Sequence, residues 1–299
     1  MNKKVLAVYY TQSGQLKQIL DNFTTPFTEM GMEVETVSIK PLIDYPFPWT
    51  TPTFFDVMPE SVLTIPTEIQ PFQCRETSYD LVIFAYQPWF LSPSVPANSI
   101  LQHPSFKAII KDTPVITLIG ARNMWCSSQE KVKKFLKDAG AKLVGNSVLI
   151  DRNQNHISVV TIFHWMLTGR KDRYLNIFPK PGISDNDIND ATRFGAIAAK
   201  HFEQGRLANL QDAFVAEKAI EVHYGLVFIE ERGSKLFKLW AKLISRKKNR
   251  TRWLVYFKYY LLIALFIAAP IIYGVYSLLF KPFLSKSIKR KKQYYLALN

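Results

Sequence analysis

The chain has 299 residues, 48% of them hydrophobic, and a formal net charge of +14 at pH 7. Residues 232–299 hold 16 Lys and Arg and no Asp or Glu, while the preceding residues carry a net charge of −2, so the basic charge is confined to the C-terminal tail and argues against a nucleic-acid-binding domain. Cys74 and Cys126 lie far apart without metal-ligand spacing, which argues against a disulfide framework and a metal site. The first apolar run is too short for a secretory signal, so the sequence predicts a cytoplasmic protein.

Apolar runs of strand length alternate with helical stretches over residues 1–205. The predicted strands are residues 5–9, 33–39, 80–85, 115–119 and 143–150, and the predicted helices are residues 14–30, 127–139 and 185–204. Ser127 or Ser128 is expected to cap the second helix, with Glu130 in its first turn and Gly140 beyond its end. This alternation predicts an α/β domain with a doubly wound, five-stranded parallel sheet.

Two insertions interrupt this pattern, at residues 41–79 and 156–182. The first is rich in aromatic residues and proline, and the second contains an apolar run from Val159 to Leu167. Two interpretations stay open: the insertions are loops that cover the surface, or they form a cap around an apolar ligand.

The tail has the composition of a membrane anchor. Residues 206–258 form a basic linker with an amphipathic helix, in which Leu236, Leu239, Trp240 and Leu243 share one face and Lys235, Lys238, Lys242 and Arg246 another. Residues 259–280 are uncharged and long enough to span a bilayer, with Tyr259, Tyr260 and Tyr276 as interfacial anchors. Residues 281–299 form a basic tail. We expect attachment to the cytoplasmic membrane with the domain facing the cytoplasm, by a transmembrane helix or, through Pro270, a re-entrant one.

Three polar or aromatic loops follow predicted strands, at the sheet edge where open α/β sheets bind ligands. The first loop contains Thr11, Gln12, Ser13, Gly14, Gln15 and Leu16; the second Gln87, Pro88, Trp89, Phe90 and Leu91; the third Ala121, Arg122, Asn123, Met124 and Trp125. The first loop leads into a helix N-terminus and has hydroxyls, so it can hold a phosphate without a lysine. The second presents aromatic rings on which a flat ligand can stack.

These loops make residues 3–204 resemble the flavodoxin-like FMN-binding family. The resemblance implies FMN as cofactor, with its phosphate on the first loop and its isoalloxazine between the other two. Thr11, Ser13 and Gly14 match the family's T-x-T-G-x-T loop, whereas Leu16 stands where a final hydroxyl is expected.

A closer resemblance is carried by FFDVMPESVLTIPTEI, YDLVIFAYQPWFLSPS, TLIGARNMW and NIFPKPGISD. Together they resemble a bacterial family of dialkylresorcinol-condensing enzymes of the flexirubin and aryl-polyene pathways. Neither cysteine has an evident histidine partner, so condensation itself is not expected. We predict instead an aromatase that oxidises a long-chain dialkylcyclohexane-1,3-dione, with a ketosynthase and an acyl carrier protein as partners besides membrane lipid. Tyr86, His156 and His164 are the candidate bases.

Two other functions share some of these features. An NAD(P)H:quinone or flavin reductase would have the same fold, and a non-catalytic membrane scaffold for a ketosynthase would need no flavin.

Overall fold

The computed structural model describes residues 2–279 and 285–298. Its strands are β1 (Lys4–Tyr9), β2 (Glu33–Ser38), β3 (Leu81–Tyr86), β4 (Pro88–Trp89), β5 (Ser92–Pro93), β6 (Pro114–Ala121) and β7 (Lys142–Ile150). Five of them form one parallel sheet in the order β2-β1-β3-β6-β7, and β4 and β5 form a separate hairpin. With the hairpin left aside, this is the strand order 2-1-3-4-5. The fold is flavodoxin-like.

Helices cover both faces of the sheet and continue into the tail. They are α1 (Gln15–Glu29), α2 (Thr51–Asp56), α3 (Met58–Leu63), α4 (Val95–Gln102), α5 (Pro104–Ile110), α6 (Cys126–Asp138), α7 (Asn155–Thr168), α8 (Asp185–Glu203), α9 (Leu210–Ala216), α10 (Tyr224–Ile244), α11 (Arg250–Ile263), α12 (Ala269–Leu279) and α13 (Ser285–Leu296). A π-helical turn, Ala264–Ala268, joins α11 to α12.

The sheet divides the core in two because successive strand residues point to opposite faces. In β3, Val82 and Phe84 pack on the side of α4 to α6, whereas Leu81 and Ile83 pack on the side of α1 and α8. The latter helices approach closely at Gly195, where an added Cβ would lie 2.0 Å from the carbonyl oxygen of Phe23. All five predicted strands and the three predicted helices are present, with ends shifted by a few residues.

The prediction of a serine cap on α6 is wrong. The helix begins at Cys126 and its flanking residue is Trp125, so Ser127 and Ser128 lie inside the first turn. A carboxylate from a distant part of the chain, Glu230 of α10, instead accepts a hydrogen bond from the Ser127 amide at 2.6 Å.

Both insertions and the linker contain helices that pack on the domain. Residues 41–79 contain α2 and α3, and residues 156–182 contain most of α7. The amphipathic stretch, apart from Arg246, lies within α10, which buries Ala241 and Ile244 against α3 while Leu236 and Leu239 remain exposed. Of the predicted apolar run, Phe280 lies outside the described residues, as do residues 281–284 and 299 of the basic tail.

Candidate functional site

A cavity of about 230 Å³, here called the strand-end cavity, lies at the carboxyl ends of β1, β3 and β6. Residues of all three predicted loops line it: Gln12, Ser13, Gln15, Leu16, Gln87, Pro88, Trp89, Phe90, Ala121 and Arg122. The fold therefore brings together the loops that the sequence singled out.

The first loop presents a helix N-terminus suited to an anion. Gly14 precedes α1 in the left-handed conformation, with φ of 84°, and no side chain of the described residues caps this helix. The first amides of a helix have no partner within it, and the helix dipole makes this end positive. Thr11 Oγ1 is buried at the same loop and has no hydrogen-bond partner in the described part of the chain. An uncapped helix end and a buried hydroxyl without a partner fit a phosphate.

Other residues of this loop hold it in place. The Gln12 amide donates to the carbonyls of Tyr45 and Pro46, at 3.1 and 2.9 Å. Gln15 is buried and makes two hydrogen bonds to the backbone of Ile183. Leu16, where the resemblance expects a hydroxyl, is buried and packs against β6 at Gly120. These contacts position the helix end, and Leu16 adds an apolar wall.

The second loop turns sharply through the β4–β5 hairpin. Phe90 and Leu91 both have positive φ, 48° and 60°, which is unusual for residues other than Gly, Asn or Asp. The turn directs Phe90 to a cluster with Phe54 and Phe257, at ring distances of 5.1 and 6.3 Å. Trp89 instead packs among Tyr45 and Trp49 of the first insertion. At the start of the loop, Gln87 Nε2 is buried without a hydrogen-bond partner among the described residues.

The third loop contributes a cation. Arg122 donates to Oδ1 and the carbonyl oxygen of Asn155, at 2.8 and 3.2 Å. Burial lowers the pKa of Arg122 to about 10, and the charges of Asp151 and Glu230 oppose that effect, so the guanidinium stays protonated at neutral pH. Asn123 also donates to Asn155, while its own Oδ1 is buried and unpaired within the described ranges.

A second cavity, of about 360 Å³, lies between the domain and the C-terminal helices and is here called the interface cavity. Its domain wall includes Leu91 and Met124, and its other wall consists of residues of α10, α11, the π turn and α12. The two cavities share the lining residues Phe54, Pro88, Phe90, Arg122 and Ile162. Arg122 is the only charged side chain among these five.

The three candidate bases lie elsewhere. Tyr86 is fully buried, donates to Gln129 Oε1 at 2.8 Å, and has its pKa raised well above the usual value by burial. His164 pairs with Asp172 at 2.9 Å, in the second insertion. His156 borders a third cavity, beside Asp151 and Tyr273. Among the described residues none of the three lines the strand-end or the interface cavity, so a catalytic role for them stays a prediction.

Several residues of the site were not predicted individually from the sequence. Trp49 of the first insertion and Trp165 and Gly182 of the second line the strand-end cavity. The insertions meet there, since the Trp49 amide donates to the Met166 carbonyl at 2.7 Å. The aromatic composition of the two insertions was the available signal in the sequence. It does not indicate which of their side chains face the cavity.

Gly182 is expected to tolerate no larger residue. Its φ is +80°, and an added Cβ would lie 2.7 Å from the Trp165 ring and 2.9 Å from Gln15 Oε1. We expect Gly182→Ala to lower the free energy of unfolding by about 3 kcal/mol, from backbone strain and overpacking together. Gly205→Ala is the control, because Gly205 also has positive φ but open space around it, and should cost about 1 kcal/mol. The free energy of unfolding is measured in urea for both variants. An equal loss in Gly182→Ala and Gly205→Ala would show that the space around Gly182 does not limit the side chain.

Glu230 couples the tail to the domain in a pH-dependent way. Its side chain is buried, and desolvation raises its pKa from 4.5 to about 7, against the opposing hydrogen bonds from the amides of Ser127 and Cys126. The folded state therefore binds more protons than the unfolded state between these values, and the free energy of unfolding falls as pH rises through that window.

We expect Glu230→Gln to flatten this pH dependence, because glutamine still accepts the amide hydrogen bond but does not titrate. Thermal unfolding midpoints between about pH 5 and about pH 8 provide the measurement. Glu203→Gln, at an exposed position at the end of α8, should keep the wild-type profile. The same slope in both variants would contradict the role of Glu230.

Neither cysteine is placed as a nucleophile. Cys126 is buried, which raises the pKa of its thiol well above the usual value, and burial raises the pKa of Cys74 to about 11. Within residues 2–279 and 285–298, no group of three or more His, Cys, Asp or Glu side chains is placed to hold a metal ion.

The chain resembles solved flavoproteins at low identity. A flavoprotein in complex with FMN from Lactobacillus acidophilus is 18% identical, with a TM-score of 0.41, and the match covers 49% of this chain and 93% of that one. A flavodoxin from the domain Archaea (11% identity, TM-score 0.38) and flavodoxin 1 from Bacillus cereus (15%, TM-score 0.34) each match over 67% of this chain and 99% of their own. No protein-family model and no curated protein matches the sequence. Because these likenesses are weak, the fold assignment rests on the strand order.

Proposed function

We propose that the protein is an FMN-dependent oxidoreductase that converts a dialkylcyclohexane-1,3-dione into a dialkylresorcinol at a membrane. The observation that carries this proposal is the junction of the two cavities at Arg122. One cavity has the features of a cofactor site at the strand ends, and the other is apolar and bordered by the helical tail. A redox cofactor and an alkyl-substituted ring would therefore meet beside one partly buried cation.

The first loop would hold the FMN phosphate through the amides at the start of α1 and the hydroxyls of Thr11 and Ser13. The buried side-chain nitrogen of Gln87, which lines this cavity and has no partner in the described part of the chain, is available to hydrogen-bond the ring system. When bound, the flavin supplies an acceptor for two electrons and a proton, as a hydride at N5.

The reaction would remove two hydrogens from the dione, one as the acidic proton between the carbonyls and one as a hydride, for which a bound flavin would be the acceptor. As the ring becomes aromatic, one C–H proton from each of the two ring carbons beside the carbonyls would move to oxygen. A 1,3-dione has an acidic C–H bond, so it can bind as its enolate without a strong protein base. Arg122 would hold the enolate oxygen, because a partly buried guanidinium is screened from water less than an exposed one and so stabilises an anion more strongly. In this scheme the first deprotonation needs none of the three candidate bases, which line neither cavity among the described residues.

The interface cavity would take the alkyl chains. Its walls are formed by aromatic and aliphatic side chains such as Phe163, Leu265 and Ile272. Burying methylene groups there favours binding by about 0.8 kcal/mol each. A condensing enzyme must supply the dione, which makes a ketosynthase and its acyl carrier protein the expected partners.

The test uses the full-length chain purified in detergent and saturated with FMN. We expect the dione, added without oxygen, to bleach the flavin absorbance and to yield one resorcinol per flavin. Bleaching by NAD(P)H but not by the dione would support a reductase instead. A protein that stays colourless after incubation with FMN would refute the flavin site and leave a scaffold role.

A further inference from the structure

An exposed apolar stripe runs along the C-terminal helices. By length and composition, one helix of the described residues could cross a membrane: Arg250–Tyr276, of 27 residues, with mean hydropathy 2.0. One side of it, with Leu254, Phe257 and Leu261, is buried against the protein. The other exposes large apolar side chains: Val255, Tyr256, Tyr259, Leu262, Ile263, Ile267, Ile271, Ile272 and Val275. Most of these residues recur every three or four positions and so form one continuous face.

The domain and α10, which is itself attached to the domain through Glu230, hold this helix from end to end. Arg250, at its start, pairs with Glu60 of α3 at 2.6 Å. Near its middle, the ring of Phe266 lies 6.1 Å from that of His156. Towards its end, Tyr276 stacks on Phe228 at 3.9 Å. These contacts extend over about 40 Å of helix, more than the hydrocarbon thickness of a bilayer. A helix that crossed the membrane could not keep all of them unless α10 and part of the polar domain entered the hydrocarbon.

The chain then returns to the same domain. In α13, Tyr294 donates to Glu130 of α6 at 2.6 Å and Tyr295 donates to Glu231 of α10 at 3.0 Å. Gln211 of α9 donates to the Leu296 carbonyl at 2.6 Å. Both flanks of the apolar helix are therefore attached to one side of one body.

From these contacts we propose that residues 250–279 form an in-plane membrane anchor, whose exposed stripe enters one leaflet while both flanks stay on the side of the domain. The occupant of the stripe is a lipid bilayer with anionic headgroups. Exposed basic side chains precede the apolar stripe along the chain and follow it: Lys235, Lys238, Lys242, Arg246, Lys247, Lys248, Arg252, Lys286, Lys289, Arg290 and Lys292. Each contributes about 1 kcal/mol near an anionic surface.

This inference rests on the membrane location in the proposed function, and it adds how the apolar helix lies relative to the bilayer. An in-plane helix places the interface cavity beside the hydrocarbon, because α11, the π turn and α12 form one wall of that cavity. The lining of this wall includes the small residues Ala264, Ala268 and Ala269. An alkyl chain could pass from the leaflet to Arg122 without crossing water.

Cysteine labelling tests the arrangement. In full-length protein with Cys74→Ser and Cys126→Ala, single reporters are placed at Lys107→Cys on α5, Lys247→Cys before the helix and Lys292→Cys after it, all at exposed positions. An impermeant maleimide is applied to intact spheroplasts and to inverted membrane vesicles of the expression host. We expect all three reporters to react from the same side. Reaction of Lys292→Cys from the opposite side would overturn the in-plane anchor and leave the proposed function standing.

Vesicle flotation separates the two proposals. We expect the protein to float with vesicles that contain an anionic lipid, and the double variant Ile263→Glu, Ile267→Glu to lose at least 10-fold in bound fraction. Lys107→Glu, a charge change on an exposed residue of the domain, should float like the wild type. Failure of the wild type to bind any vesicle would refute the membrane location as well. A soluble dimer that the double variant converts to a monomer would show that a second copy covers the stripe and would overturn the bilayer as its occupant.

Discussion

Ser13→Asp is expected to abolish FMN loading. Ser13 lines the strand-end cavity at the uncapped start of α1, where the amides and the helix dipole favour an anion. A carboxylate at this position would occupy the phosphate site, satisfy the free amides and repel the phosphate. We expect the dissociation constant of FMN to rise at least 100-fold, which corresponds to about 2.8 kcal/mol.

The measurement is a fluorescence titration of flavin-free protein with FMN. The control is Gln18→Asp, the same gain of charge on an exposed position one turn further along α1. It should change the dissociation constant less than 3-fold. The single variants Thr11→Val and Ser13→Ala each remove one hydroxyl, and each should weaken FMN binding about 10-fold. If Ser13→Asp bound FMN as tightly as the wild type, the phosphate would lie elsewhere.

Riboflavin distinguishes the phosphate contact from a general loss of the site. Because it lacks the phosphate, its binding should depend little on Ser13 or Thr11. A variant that loses FMN but keeps riboflavin binding has lost the phosphate contact alone. Loss of both would indicate that the loop itself has changed shape.

The sheet could be predicted from the sequence because its signals are local. Buried strands such as Leu81–Tyr86 are continuous apolar runs, and the helices between them carry apolar residues at helical spacing. The three loops follow from the same logic, since the ends of parallel strands meet at one edge of the sheet. The location of the cavity at this edge could therefore be predicted from the order of strands and helices alone.

The positions and partners of the other residues depend on contacts between segments that are distant in the sequence. Glu230 caps α6 over 103 residues of chain, so nothing near Ser127 could reveal that the cap comes from α10. Tyr86 directly follows the predicted strand 80–85, but only the packing of α6 shows that its hydroxyl donates to Gln129 and not to a ligand. Arg122 was expected as one of five loop residues, and its position between two cavities required the C-terminal helices to be in place.

Arg122→Gln is expected to lower kcat/KM for the dione by 100- to 1,000-fold, the effect of removing one charged partner of a developing anion in a buried site. The guanidinium is held by Asn155 and is the one charged group shared by both cavities within the described residues. Glutamine can still donate one hydrogen bond to the enolate oxygen but carries no charge, so the enolate would bind unpaired in an apolar environment.

Arg152→Gln provides the matched control. Arg152 lies after β7, is exposed, and makes ion pairs with Asp187 and Glu221, so this variant should keep wild-type kinetics. Flavin occupancy is measured in both variants, because Arg122 also lines the strand-end cavity. Full occupancy with an unchanged kcat/KM in Arg122→Gln would contradict the role of Arg122 in holding the enolate.

The pH profile gives a second, independent measure of the same residue. Since burial lowers the pKa of Arg122 to about 10, wild-type kcat/KM should decline as the guanidinium loses its proton above that value. The low activity of Arg122→Gln should show no such decline, because glutamine does not titrate. A substrate that binds as the enolate also loses affinity when the medium is acidified enough to protonate it, in both proteins alike. We therefore assign the decline of kcat/KM at high pH to Arg122 and its decline at low pH to the dione. Only the decline at high pH should be absent in Arg122→Gln.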